Sequence, residues 1–466
     1  MRGIRPEASR WSHSFQGQMR THYSRTVAWG YMLTIITAPT GPLSAAEARG
    51  LVPRATVSDV SVADAATELV EDVRIRGERA LREQSERFDG GSPESIRVSD
   101  AELARAASEL DPALREAIAI AIERVTTASR AQVPPPSVTT LSPGAVIEQH
   151  WIPVDRVGLY VPGGKAVYPS SVVMNVVAAQ VAGVRSIALV SPPQRDHAGS
   201  VHPTVAAVAE ILGVDEVYAM GGAGAIGALA FGVPSLKLEP VSVITGPGNH
   251  YVSAAKRAVS AVVGIDSEAG PTEILIIADD SADADLIAAD LVSQAEHDEQ
   301  ASAVLVTTSP QLAERVVERT AARAALAHHR VRVEAALNGD QSRVIVVHSL
   351  DDAIAVSDAY APEHLEIHTV DADEVARRIR HAGVIFVGSS TPVALGDYLA
   401  GSNHVLPTQG HARRAAGLGP YTFLRSRQTV RYTRDALHEV ADAVVTFARS
   451  EDLPAHGDAI TARFER

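Results

Sequence analysis

The stretch RVGLYVPGG at 156–164 decides the fold: a short apolar run of strand-forming residues closes on a proline and two glycines. Its kind recurs at SIALVSPP (186–193), EVYAMGG (216–222), VSVITGPGN (241–249) and EILIIADD (273–280), each ending in a turn. Between them lie alanine-rich stretches with helical spacing: VVMNVVAAQVAGV (172–184), HPTVAAVAEILGV (202–214), GAIGALAFG (224–232) and YVSAAKRAVSAVV (251–263). The alternation continues with a helix in DADLIAADLVSQAEHD (283–298), a strand in SAVLVTT (302–308) and a helix over 310–337. A strand in RVIVVHS (343–349), a helix over 350–360 and a strand in GVIFVGS (383–389) complete it. Strands alternating with helices imply parallel sheets covered on both faces. The expected fold is α/β with two Rossmann-like parallel-sheet domains.

Outward from this core the texture is helical. Residues 60–132 carry apolar residues at helical spacing, broken at Gly77 and ended by the prolines at 134–136. After about 415 the chain turns helical again, in a tail too short to be a domain and expected to pack on something else, such as a partner subunit. The organisation expected is an N-terminal extension (1–45), a helical part of the first α/β domain (46–155), a second Rossmann-like domain (156–272), the remainder of the first domain with the chemistry (273–412) and the helical tail (413–466).

Composition narrows the functions. Of 466 residues, 46% are hydrophobic, ample for buried cores, and the net charge of −14 argues against a nucleic-acid or anionic-membrane surface. No apolar run is long enough to span a membrane. Without cysteine there is no disulfide, thiolate ligand or cysteine nucleophile. Any oxidation of an aldehyde would therefore proceed through its hydrate, with an activated water and a base. Residues 1–45 hold five arginines and one acid, Glu7. Such a start can be a transit peptide; the plainer readings are a disordered extension or an overcalled start.

Four strings carry candidate chemistry. In SQAEHD (293–298), Gln294 and His297 share a helix face and can offer one O and one N to a metal, the alternative being a solvated helix end. In APEHLE (361–366), Glu363 and His364 can activate water and move protons; otherwise it is an exposed polar turn. GDYLAGSNHVLPT (396–408) gathers Asp397, Asn403 and His404 in a glycine-rich stretch after a predicted strand, where open α/β sheets place ligands. EDLPAH (451–456) adds Glu451 and His456, though a terminal histidine is usually without function. A G-x-G-x-x-G at Gly222, Gly224 and Gly227 suggests a dinucleotide but lacks a convincing acid about 20 residues on. GPGN (246–249) precedes a helix and can hold phosphate or a cofactor at its N-terminus.

Together these strings, with VRIRGERAL (73–81), VGLYVPGG, GPGNHYV and AGPTE (269–273), resemble the histidinol dehydrogenase family from about Val73 to the end. The resemblance implies oxidation of L-histidinol to L-histidinaldehyde and then to L-histidine with two NAD. It also implies a cytoplasmic homodimer whose tail reaches the neighbouring active site. It implies one zinc per subunit on Gln294, His297, Asp397 and His456, with Glu363 and His364 as the acid–base pair. Thr272 (Ser in many relatives), His404 and Glu451 would help hold the substrate together with His364 and the metal ligands. Tyr160, Asn249 and the Gly224 position would meet NAD. Two imidazoles, a carboxylate and an amide suit zinc and leave room for the substrate's own imidazole and amine. One departure stands out: many relatives have Gln in GGAQAI where this chain has Gly224. The rivals are a related zinc- and NAD-dependent dehydrogenase of another small amino or sulfonated alcohol, disfavoured by Glu451 and His404, and a non-catalytic zinc-binding protein, disfavoured by Glu363 and His364.

Overall fold

The computed structural model describes residues 25–26, 32–55, 60–89, 91–164, 166–268 and 270–465. Two parallel sheets form its centre. The five-stranded sheet runs Glu216–Ala219, Ser186–Ser191, Arg156–Tyr160, Val243–Thr245, Gly264–Ile265. Five parallel strands of the larger sheet repeat that order of winding: Arg343–Val346, Ser302–Thr307, Glu273–Ala278, His364–His368, Val384–Val387. In each, the first strand in sequence lies centrally and the order reverses beside it.

Strand composition follows from burial on both faces. In EILIIA, Ile274 and Ile276 enter one apolar cluster while Leu275 and Ile277 enter the opposite one. Helix ends are written locally. Asn249, Asp283 and Ser309 accept backbone N–H groups as N-caps. Gly183, at φ 90°, ends the helix Pro169–Ala182 in the left-handed conformation.

Two expectations about the N-terminal part need correction. The helix Ala45–Leu51 packs on the larger sheet's side, but the helices of 60–132 do not join that sheet. Val60–Arg76 packs on Gly222–Phe231 and His250–Val259, Asp100–Glu109 on Pro203–Ile211, and Pro112–Gln132 on Pro169–Ala182. Their apolar faces, Ala66, Val70 and Val73 on one side and Leu103, Ile118 and Val125 on the other, merge with the clusters flanking the five-stranded sheet.

The stretch read as an extension contributes to the larger sheet. Thr34–Thr37 pairs in parallel with Arg343–Val346, buries Leu33 and Ile36 beside it, and pairs antiparallel with Arg25–Thr26. The rest of that expectation, residues 1–24 and 27–31, lies outside the described residues. The expected helical tail is present as Arg434–Ser450 and Pro454–Thr461, preceded by a strand, Leu424–Tyr432, antiparallel to Ala145–Pro153.

Candidate active site

A cavity of about 680 Å³ lies between the sheets. Tyr160, Gly221, Gly222 and Asn249 line it from the carboxyl ends of the five-stranded sheet, the usual ligand edge. Thr272, His297, Glu363, His364, Asp397 and His404 line it from the larger sheet. That second group gathers at the amino ends of the strands, against the expectation from open α/β sheets. Thr272 and Glu363 immediately precede Glu273–Ala278 and His364–His368. The helix Ala284–Ala295 returns to the same edge and leaves Gln294 and His297 there. The short helix Val393–Tyr398 does likewise for Asp397.

The polar contacts form a chain. Gln294 Nε2 donates to Thr272 Oγ1 at 2.6 Å, and Thr272 donates to Glu363 Oε2 at 2.5 Å. Glu363 Oε2 also accepts the backbone N–H of Glu273 at 2.9 Å. His364 Nδ1 lies 3.1 Å from the Glu273 carbonyl oxygen. A carbonyl only accepts, so Nδ1 carries the proton and Nε2 is left as the basic nitrogen. The same logic fixes His404: Nδ1 donates to the Asp397 carbonyl at 2.8 Å, and Nε2 accepts from Ser171 Oγ at 3.0 Å, across the two domains. Burial pushes the pKa of His404 down, which keeps the ring neutral.

His297 and Asp397 face each other, Nε2 to Oδ2, at 3.8 Å. Burial opposes the charge on His297, but Asp397 foremost, then Glu363 and Glu296, outweighs it and holds the imidazole above its usual range. Burial likewise works against the Asp397 carboxylate, which His297 foremost nevertheless holds below its usual range. Gln294 stands just behind the cavity wall, 1% exposed, and its Oε1 has no hydrogen-bond partner.

A buried amide oxygen without a partner, an imidazole and a carboxylate are donor types that zinc takes. The residues present therefore fit zinc. On the side of the five-stranded sheet the lining is small: Gly222, at φ 60°, donates its N–H to Tyr160 Oη at 3.2 Å, and Pro247, Gly248 and Asn249 also line the cavity.

A family model described as histidinol dehydrogenase matches residues 52–464. The chain belongs to the histidinol dehydrogenase family. It is 61% identical over 415 residues to histidinol dehydrogenase of Leifsonia xyli subsp. xyli, covering 89% of this chain and 95% of that one. Histidinol dehydrogenase of Mycolicibacterium smegmatis is 52% identical over 427 residues, covering 91% and 96%. The crystal structure of histidinol dehydrogenase from Elizabethkingia anophelis superposes with a TM-score of 0.88 at 30% identity, covering 94% of this chain and 99% of that one. Membership of the histidinol dehydrogenase family makes the chain an oxidoreductase.

Other expected residues lie elsewhere. Gly224 is buried and does not line the cavity. A Cβ there would meet Gln84 Oε1 at 2.3 Å, and one at Gly227 would meet the Val70 carbonyl at 3.1 Å. These two glycines admit the N-terminal helices rather than a pyrophosphate, and Gln84 itself lines the cavity. Asn249 caps its helix, its Oδ1 accepting from Tyr251 N and Val252 N at 3.1 Å. Glu451 and His456 are exposed on the tail and do not line this cavity.

The sequence reading missed Glu273 and Arg54. Glu273 is buried, and burial pushes it up to about 7 although the Arg54 ion pair opposes the rise. Arg54 also donates to the Tyr360 carbonyl and stacks on that ring. A lone arginine far from every motif offered no signal; Glu273, directly after Thr272, offered only its adjacency.

Proposed function

We propose that the chain oxidises L-histidinol to L-histidinaldehyde and then to L-histidine, closing histidine biosynthesis in the cytoplasm. One observation carries this reading: Gln294, His297 and Asp397 meet beside Glu363 and His364 at one cavity. Zinc on Gln294, His297, Asp397 and a tail His456 would supply a charge that anchors the substrate's imidazole and amine. NAD along Tyr160 and Asn249 would supply the hydride acceptor for both oxidations.

The chain's own residues handle the protons. His364 Nε2, basic because Nδ1–H is held by the Glu273 carbonyl, takes the alcohol proton. Glu363, oriented by Thr272 Oγ1 and Glu273 N, takes a proton from water as that water attacks the aldehyde carbon. As that water attacks, His364 returns the alcohol proton to the aldehyde oxygen, giving the hydrate; it takes a hydroxyl proton again as the second hydride leaves, and the resulting acid loses its last proton to solvent. The lack of cysteine suits this hydrate route.

A homodimer with exchanged tails suits the exposed positions of Glu451 and His456. It would also cover Phe447 and Leu453 on the same tail, 70% and 42% exposed.

Incubation of the purified protein with histidinol and NAD should yield two NADH per histidinol, fall silent on chelation and recover with Zn²⁺. One NADH per substrate, or turnover of another amino or sulfonated alcohol alone, would assign the related dehydrogenase instead.

A further inference from the structure

Beneath the catalytic edge a second polar group crosses an apolar face. Along the strand His364–His368 the residues His364, Glu366 and His368 point to the side that pairs with Ile274, Ile276 and Ala278. That side is otherwise aliphatic, closed by Ile287 and Leu291 of the helix Ala284–Ala295. His364 belongs to the site already described. Glu366 and His368, 0% and 5% exposed, lie deeper, one and two strand repeats of about 7 Å below it. Asp290, one helical turn before Gln294, meets them there, also buried. Donor atoms of the three lie within 4.8 Å of one another.

The group is incompletely satisfied. Glu366 Oε1 accepts from Val393 N at 2.6 Å, but Glu366 Oε2 and both ring nitrogens of His368 have no hydrogen-bond partner. Arg323 attracts Asp290 only weakly and stands half-exposed beside Asp285. Two buried carboxylates this close require a compensating positive species. His368 Nε2 faces Glu366 Oε2 at 3.4 Å without a hydrogen bond between them, so a proton shared by the carboxylates would still leave His368 Nδ1 and Nε2 unsatisfied. A metal ion relieves all three.

We propose that Asp290, Glu366 and His368 form a second metal site, holding a divalent transition ion between the helix Ala284–Ala295 and the strand His364–His368. Mixed imidazole and carboxylate donors favour Zn²⁺ or Mn²⁺ over Mg²⁺ or Ca²⁺. The ion is structural: it joins the elements that carry Gln294 and His364 and, through Val393 N, the start of the helix that carries Asp397. This site stands independently of the proposed reaction.

The test is metal content, after saturation of the full-length protein with Zn²⁺ or Mn²⁺ and dialysis, together with anomalous diffraction from its crystals. The expected result is an anomalous peak among Asp290, Glu366 and His368 and a metal content that falls by one equivalent in His368→Ala. His297→Ala should remove a different equivalent and spare this peak. Loss of metal in His368→Ala but none in His297→Ala would uphold this site and overturn the zinc reading of the cavity. No peak at the triad in the saturated wild-type crystal overturns the inference, whether or not His368→Ala folds.

Discussion

Glu363 and Glu273 stand together in a buried setting, and their surroundings divide the labour between them. Glu363 faces the cavity and accepts two hydrogen bonds through Oε2. Glu273 lies behind it, where burial, aided by the charge of Glu363, raises its pKa against the pull of Arg54. Glu363 is thus placed to take a proton from water, and Glu273 to hold the wall. Glu363→Gln should lower aldehyde oxidation by about 10²–10⁴-fold, the usual worth of a positioned base. Oxidation of histidinol to the aldehyde should suffer far less, because His364 keeps its carbonyl partner. Single-turnover NADH formation from each substrate separates the two; equal losses would refute the water-activating role. Glu363 and His364 stood out in APEHLE because the two are adjacent, whereas Glu273 did not. The tautomer of His364 was not legible, since it depends on a carbonyl 91 positions away.

At the scale of elements, the site depends on strands and helices being held at one edge. Arg54, just beyond the helix Ala45–Leu51, reaches the first residue of the strand Glu273–Ala278 and the end of the helix Leu350–Tyr360. Its pairing with Glu273 makes a pH-dependent joint. Glu273 titrates near 7 in the fold and near 4.5 when free, so its burial stabilises fully below about 4.5, and this contribution is lost as pH rises through 7. Above that, Arg54 is what makes the ionised carboxylate tolerable. Arg54→Ala should therefore destabilise by about 3 kcal/mol at pH 8, the scale of a broken buried pair, and by clearly less at pH 5. Urea unfolding at both pH values measures it, and an equal loss at the two would exclude the ion-pair account.

For the whole molecule, the tail decides whether one subunit suffices. Glu451 and His456 lie off this subunit's cavity, on a helix pair with exposed apolar side chains. If tails are exchanged, Asp397→Asn and His456→Ala homodimers are each inactive, but a mixed dimer keeps one intact site. Refolding the two variants together at equal amounts should restore about a quarter of wild-type activity, from half the dimers with half their sites. No recovery, with mixed dimers demonstrated by mass, would show that each tail serves its own subunit.

The alternation of β-rich runs and alanine-rich helices determined the α/β class and two wound sheets, because burial on both faces leaves a period that one sequence displays. Local patterns also pointed to residues that the fold brings to one edge: Gln294 and His297 stand three apart, though the helix ends at Ala295, and Glu363 and His364 are neighbours. The tertiary structure alone decided on which edge they meet, because two returning helices, not strand ends, deliver Gln294 and His297 on one and Asp397 on the other. It also decided that the helices of 60–132 cover the five-stranded sheet and that Gly224 makes room for Gln84. An amphipathic helix specifies that it must bury a face, not against which partner. A glycine specifies that space is wanted, not what will fill it.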